Sequence, residues 1–109
     1  MPDETPPAAA EKDTAETRSI LEDLQRGEID RRLLTGNASS YFTAEALQDY
    51  RSSLMALGPL KAVTLVNEHL RGGMTQRIYR AQYEKKTVLL NIYVMPDGKY
   101  EQFLVVDQL

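Results

Sequence analysis

The second half of the chain has apolar and β-branched runs separated by tight turns, the pattern of consecutive β-strands. The turns are Arg71-Gly72-Gly73-Met74 and Met95-Pro96-Asp97-Gly98-Lys99, in which glycine accepts positive φ and proline presets φ. Tight turns of this kind join neighbouring antiparallel strands, so the pattern predicts a four-stranded meander. The predicted strands cover approximately residues 61–70, 74–83, 87–95 and 100–106.

The first half of the chain carries apolar residues at the spacing of amphipathic helices. The first helix is predicted to begin at Asp13 or Thr14 and to end near Arg26, where a glycine follows as a stop. Its apolar stripe is narrow, which is typical of a helix with one side on a sheet and the other in water. A second, short helix is predicted at 28–34, before Thr35-Gly36-Asn37 breaks it.

The third helix, predicted at 44–57, is the most clearly bounded element of the chain. Thr43 is a good N-cap, and Gly58-Pro59 ends the helical pattern. Residues 1–12, by contrast, are rich in proline, alanine and acids, which predicts a disordered tail or an interdomain linker. The chain is therefore expected to hold one domain, residues 13–109, after that segment.

The third and fourth strands are unusual because they are apolar on both faces. The third strand alternates Val88, Leu90, Ile92 and Val94 with Leu89, Asn91, Tyr93 and Met95. The fourth strand alternates Tyr100, Gln102, Leu104 and Val106 with Glu101, Phe103 and Val105. Strands apolar on both faces are buried on both faces, yet three short helices cover only one. We predict an α+β fold with the helices on one sheet face, and a further partner on the other.

Composition narrows the functional classes. The chain of 109 residues has no cysteine and one histidine, which excludes disulfides and thiolate metal sites and predicts neither metal nor cofactor. A net charge of −3 and the absence of clustered Lys and Arg argue against nucleic acid. No apolar run reaches the roughly 20 residues of a membrane span. The acidic N-terminus also lacks the pattern of a signal peptide, although a fragment of a longer exported protein would fit the linker composition.

The order of helix, short helix, aromatic-led helix and antiparallel meander resembles the nuclear transport factor two-like (cystatin-like) superfamily. The resemblance spans nearly all of 13–107 and is greatest to a bacterial branch of uncharacterised accessory domains, often fused to hydrolases in exported proteins. It implies a curved, cone-like sheet with a pocket between sheet and helices, in a non-catalytic binding or assembly module. The residues that carry the resemblance are 24–30, 41–47, Leu57-Gly58-Pro59 and the strands with Met95-Pro96-Asp97-Gly98-Lys99.

The pocket that the resemblance implies would be lined by aromatic side chains and would suit a small apolar ligand. The alternative is that these residues are ordinary core and cross-strand residues, and this is the more frequent role of a tyrosine on a strand. The candidates are Tyr41, Tyr50, Tyr79, Tyr83, Tyr93 and Phe103.

Enzymatic relatives in this superfamily, the ketosteroid isomerase-like and polyketide cyclase-like proteins, need carboxylates on inward-facing strand positions. Glu101 shares its predicted face with Phe103 and Val105 and is the best candidate base, but no acid of the second or third strand can pair with it. His69 is a second acid/base candidate, near a strand end where an edge residue is more usual. The alternative function is accordingly a small isomerase or cyclase, without an assigned catalytic residue.

The leading hypothesis from sequence is a non-catalytic ligand-binding or protein-interaction module. The excess of apolar residues on the second sheet face indicates a partner there, either a second copy of the chain or a domain of a parent protein. An exposed face of that kind would otherwise leave a large apolar patch in water.

Overall fold

The computed structural model describes residues 7–106 and has the predicted α+β architecture, with helices followed by an open four-stranded antiparallel sheet in the order β1-β2-β3-β4. The helical elements are α1 (Pro7–Gln25), a 3-10 turn (Arg31–Leu33), α2 (Gly36–Tyr41) and α3 (Ala44–Met55). The strands are β1 (Leu60–Arg71), β2 (Met74–Tyr83), β3 (Thr87–Val94) and β4 (Tyr100–Val106).

All four strands lie where the pattern predicts them, within one residue at each end, because their turns are chemically explicit. Gly98 has a φ of 92°, a conformation that favours glycine. The carboxylate of Asp97 accepts a hydrogen bond from the Lys99 N–H at 3.0 Å, and this side-chain hydrogen bond stabilises the turn. Consecutive strands therefore pair with their neighbours in the chain as a simple meander.

The helices match the prediction less closely. α1 begins at Pro7, ahead of the predicted cap at Asp13 or Thr14, since proline is favoured at the first helical position and three alanines follow it. The predicted helix at 28–34 is wrong: only a 3-10 turn forms there, capped by Asp30, whose carboxylate accepts from the Arg32 N–H at 3.0 Å. The first helix is thus longer than predicted, and the second is only a single 3-10 turn.

The predicted break at Thr35-Gly36-Asn37 is in fact the beginning of α2. The hydroxyl of Thr35 accepts a hydrogen bond from the Ala38 N–H at 3.0 Å, so this threonine is an N-cap. Thr43 caps α3 in the same way, as predicted, by accepting from the Ala46 N–H at 3.1 Å. α3 ends at Met55, two residues before the predicted end at Leu57.

The core lies between the helices and one face of the sheet, which we call the inner face. The buried residues of α1 contact this face, and Leu54 of α3 joins the same cluster. Alternate residues of β3 are buried in a strict period of two, so β3 lies at the centre of the core. The central members of the cluster are Ile20, Leu21, Leu24, Val88, Leu90 and Ile92.

A register shift between β3 and β4 places Tyr100 on the sheet face opposite to the one that simple alternation predicts. Tyr93 pairs with Gln102, but the next residue, Val94, pairs with Tyr100, so Glu101 is an extra residue in β4. Tyr100 therefore lies on the inner face with Phe103, and not beside Gln102 as simple alternation predicts. Glu101 is displaced to the edge of the sheet.

Candidate functional site

The face of the sheet opposite the helices, here called the outer face, is the first candidate. It is formed by residues of all four strands, and cross-strand pairs such as Gln76 with Tyr93 and Asn91 with Leu104 set its centre. Most of its side chains on β2, β3 and β4 are half-buried, but Gln76 is buried and Arg80, Gln82 and Leu104 are exposed, Leu104 by 44%. On β2, β3 and β4 the outer face consists of Met74, Gln76, Ile78, Arg80, Gln82, Thr87, Leu89, Asn91, Tyr93, Gln102, Leu104 and Val106.

The outer face is almost free of charge. Among its described residues on β2, β3 and β4, Arg80 alone is charged, although 27% of the chain is charged. The polar groups at its centre are amides: Gln76 is 8% exposed and donates a hydrogen bond from Nε2 to Oδ1 of Asn91 at 2.9 Å. Half of these twelve side chains are apolar and five of the other six are uncharged, a composition closer to that of an interface core than to that of a solvated face.

The inner face carries a polar pair beneath α1. Tyr100 is 2% exposed, and its hydroxyl donates a hydrogen bond to Oε1 of Glu16 at 2.8 Å. Burial raises the pKa of Tyr100 and the neighbouring Glu16 carboxylate raises it further, so the phenol remains a hydrogen-bond donor. The pair joins α1 to the start of β4, and this contact is one that alternation alone did not predict.

Tyr83 lies in the same layer but differs in its bonding. It is 2% exposed, and its hydroxyl has no hydrogen-bond partner among residues 7–106. Burial raises the pKa of Tyr83 to about 12, with a smaller contribution from the charge of Glu22. Burial likewise raises the pKa of Tyr79. These tyrosines are therefore neutral core residues at physiological pH.

The second candidate is a groove between α3 and the edge strand β4, made of two adjoining cavities. We call it the α3–β4 groove. Ala46 and Tyr50 line both cavities and so mark where they meet. One cavity has a volume of about 350 Å³ and is lined by Ala46, Asp49, Tyr50, Ser53, Leu54, Leu57, Val88 and Val105. The other has about 400 Å³ and is lined by Ala38, Tyr41, Phe42, Ala46, Tyr50, Glu101, Gln102, Phe103 and Leu104.

Tyr50 is the central wall of the groove. Its ring centroid lies 5.8 Å from that of Phe42, in a tilted arrangement that favours aromatic contact. Burial raises the pKa of Tyr50, and the Val105 backbone N–H beside its hydroxyl lowers it in part. At the other end of β4, the Thr35 N–H donates to the Tyr100 carbonyl at 3.0 Å. Both ends of this edge strand are thus covered, which disfavours addition of another strand along it.

Glu101 forms the polar end of the groove. Its Oε1 accepts from the Thr35 hydroxyl at 2.9 Å and its Oε2 accepts from Nδ2 of Asn37 at 2.7 Å. Both donors are uncharged, and no cation of the described chain pairs with this carboxylate. Glu101 therefore joins the N-terminus of α2 to β4 and leaves a negative charge in the wall of the groove.

The structure distributes the predicted site residues over three environments. Tyr41, which is 71% exposed, Tyr50 and Phe103 line one cavity of the groove together with Glu101. Tyr79 and Tyr83 lie in the core, while Tyr93 and the exposed His69 of β1 lie on the outer face. Tyr100 was missed because its position depends on the extra residue in β4, which no pattern of alternation reveals.

Within residues 7–106, no group of three or more His, Cys, Asp or Glu side chains is arranged to hold a metal ion. None of the described helices is long and apolar enough to span a membrane. No protein-family model, no curated protein and no solved structure matches the chain.

Proposed function

We propose that this protein is a non-catalytic interaction module that forms a homodimer through its outer sheet face. The observation that carries the proposal is the composition of that face: across β2, β3 and β4 its described side chains include one charge, Arg80, and several large apolar groups. The face of an antiparallel sheet that meets water usually carries polar and charged side chains. A nearly uncharged face with several large apolar side chains is typical of a surface that is covered in the assembled protein.

A second copy of the chain is the partner that this surface suits best. In a twofold-symmetric interface each patch meets itself, so any charge on the patch meets the same charge on the partner. On β2, β3 and β4 only Arg80 has to be placed away from its counterpart, so this part of the outer face avoids that repulsion. Burying one exposed leucine stabilises an assembly by about 1.5–3 kcal/mol, and symmetry uses Leu89 and Leu104 twice.

The mass of the protein in solution tests this proposal. Light scattering at roughly millimolar concentration is expected to give twice the 12.3 kDa of one chain. Leu89→Lys places a charge beside Arg80, its cross-strand partner, and is expected to give monomers. Met55→Lys is the matched control, because Met55 is an exposed apolar residue of α3 outside the outer face. A monomeric parent, or a dimeric Leu89→Lys variant, would overturn the proposal.

We infer further that the chain is a small member of the nuclear transport factor two-like superfamily, and an accessory domain of an exported bacterial protein. Support comes from the order of the elements and from three irregularities in the sheet, at Lys61 and Val66 in β1 and at Glu101 in β4. Extra residues of this kind bend strands, as a cone-like sheet requires. The reading frame around the gene, together with an experimental structure, tests both parts of this inference.

A further inference from the structure

We propose that the α3–β4 groove binds a small organic cation with an apolar body, of the chemical class of a primary alkylammonium. This inference goes beyond the proposed homodimer because it concerns a ligand site between α3 and the edge strand β4, which shares only Gln102 and Leu104 with the outer face. It rests on two properties of the walls: an apolar floor, and charged side chains of only one sign.

The floor of the groove is formed by core residues. Leu54 and Val88 are buried at its base, while Leu57 and Val105 are partly exposed to the cavity. Each of the two cavities, at about 350 and about 400 Å³, falls in the range of small-molecule sites. A hydrocarbon chain of six to eight carbons, at roughly 0.8 kcal/mol per buried methylene, is the kind of ligand body that such a floor favours.

The charge of the walls selects the head group. Asp49 lines one cavity and Glu101 lines the other, and no lysine, arginine or histidine lines either. Neither carboxylate forms a salt bridge with another described residue; Glu101 is bonded to the neutral Thr35 and Asn37, while Asp49 is exposed at the rim. Both cavities therefore present uncompensated negative charge, which attracts a cation and repels an anion of the same shape.

The aromatic walls act in the same direction. Tyr50 lines both cavities and Tyr41 lines the one that contains Glu101. The face of an aromatic ring is the negative end of its quadrupole, so an ammonium close to either ring is stabilised, and a carboxylate is not. Because both ends of β4 are covered, its backbone is a poor partner for a ligand. Recognition therefore depends on the side chains of the groove.

Three ligands of equal length, octylammonium, octanol and octanoate, test the proposal by NMR titration of the labelled protein. The expected order of affinity is octylammonium, then octanol, then octanoate, with about fivefold between the first two, the size of one partly exposed charge interaction. Shifts are expected at the amides of residues 46–57 and 101–105. The preference for the cation is expected to fall as salt is raised. Equal binding of octanoate would overturn the proposal.

Two pairs of variants locate the site. Ala46→Phe fills the wall common to both cavities and is expected to abolish binding of octylammonium, while Ala44→Phe, at an exposed position of the same helix, is not. Asp49→Asn is expected to weaken octylammonium about threefold without changing octanol, whereas Glu11→Gln on α1, with the same change in net charge, leaves both affinities unchanged. If Glu11→Gln weakens octylammonium as much as Asp49→Asn does, the attraction comes from net charge and the proposed site is wrong.

Discussion

The two faces of the sheet are built from the same strands but solve the problem of burial differently. On the inner face, alternate residues of β3 lie under α1, and Leu90 is 0% exposed. On the outer face the neighbouring residue, Leu89, is only half-buried, although it is equally apolar. The inner face is covered by the helices of the same chain. The outer face has the composition of a buried surface without a cover from residues 7–106, and this difference is the basis of the proposed dimer.

The largest expected effect comes from truncating the two adjacent leucines. Leu90→Ala removes a fully buried side chain from the core and is expected to lower the free energy of unfolding by about 2–5 kcal/mol. Leu89→Ala is expected to cost about 1 kcal/mol or less when the protein is dilute, and more when it is concentrated enough to associate. Urea unfolding at two protein concentrations measures both. Equal costs at low concentration would remove the distinction between the faces.

The next largest effect is a difference in the free energy of unfolding between variants of two buried tyrosines on the inner face. Tyr100→Phe deletes the hydrogen bond to the Glu16 carboxylate and is expected to lower the free energy of unfolding by about 1–2 kcal/mol. Tyr83→Phe deletes a hydroxyl that has no described partner and is expected to change it by about 0.5 kcal/mol at most, in either direction. Thermal or urea denaturation at neutral pH compares them. A larger loss for Tyr83→Phe would mean that its hydroxyl is bonded after all.

The inner face also predicts a loss of stability in alkali. Tyr83 is uncharged when protonated, and burial raises its pKa to about 12 in the folded chain, against about 10 in the unfolded chain. The protonated phenol stabilises the folded chain fully below pH 10. As the pH rises from 10 toward 12 this stabilisation is lost, and the free energy of unfolding falls by about 2–3 kcal/mol in total. Unfolding measured across this range is expected to show a smaller loss for Tyr83→Phe. Parallel curves for the two proteins would contradict the assignment.

How far the sequence predicts this architecture depends on whether the chemistry of each element is local. The strands and α3 are predictable, because Gly98, Thr43 and Gly58 determine conformation at their own positions. α2 was missed because Thr35 is both a frequent loop residue and a good N-cap, and only the structure shows its hydroxyl on the Ala38 N–H. The inward position of Tyr100 depends on pairing between β3 and β4, which is not a local property.

The candidate sites show the same division. The apolar excess of β3 and β4 is visible in their alternation, so the sequence predicts that the sheet face opposite the helices carries apolar side chains. For the α3–β4 groove, the resemblance predicts a pocket between helices and sheet with Tyr41, Tyr50 and Phe103 as candidates. The presence of Asp49 and Glu101 in adjoining cavities is not predicted, because they are 52 positions apart in the sequence and belong to different elements. Among the predicted aromatic residues, Tyr50 is the one that lines both cavities.

The smallest expected effect is a near absence of salt dependence in the dimer. Since Arg80 is the one charge on the outer face among the described residues of β2, β3 and β4, the dissociation constant is expected to change by about twofold or less between 0.05 and 0.5 M salt. Binding of octylammonium to the α3–β4 groove should weaken over the same range. Sedimentation at each salt concentration measures the first quantity. A dimer that dissociates strongly in salt would indicate an interface elsewhere.

A dilution series on methyl-labelled protein tests the central claim most directly, because it reports on both sides of the sheet in one sample. The methyl resonances of Leu89, Leu104 and Val106 are expected to shift between millimolar and low micromolar concentration, as the outer face becomes exposed. Those of Leu24 and Leu90 on the inner face are expected to stay in place. Shifts confined to other surfaces, or unchanged outer-face methyls in a chain that sediments as a monomer throughout, would contradict the account.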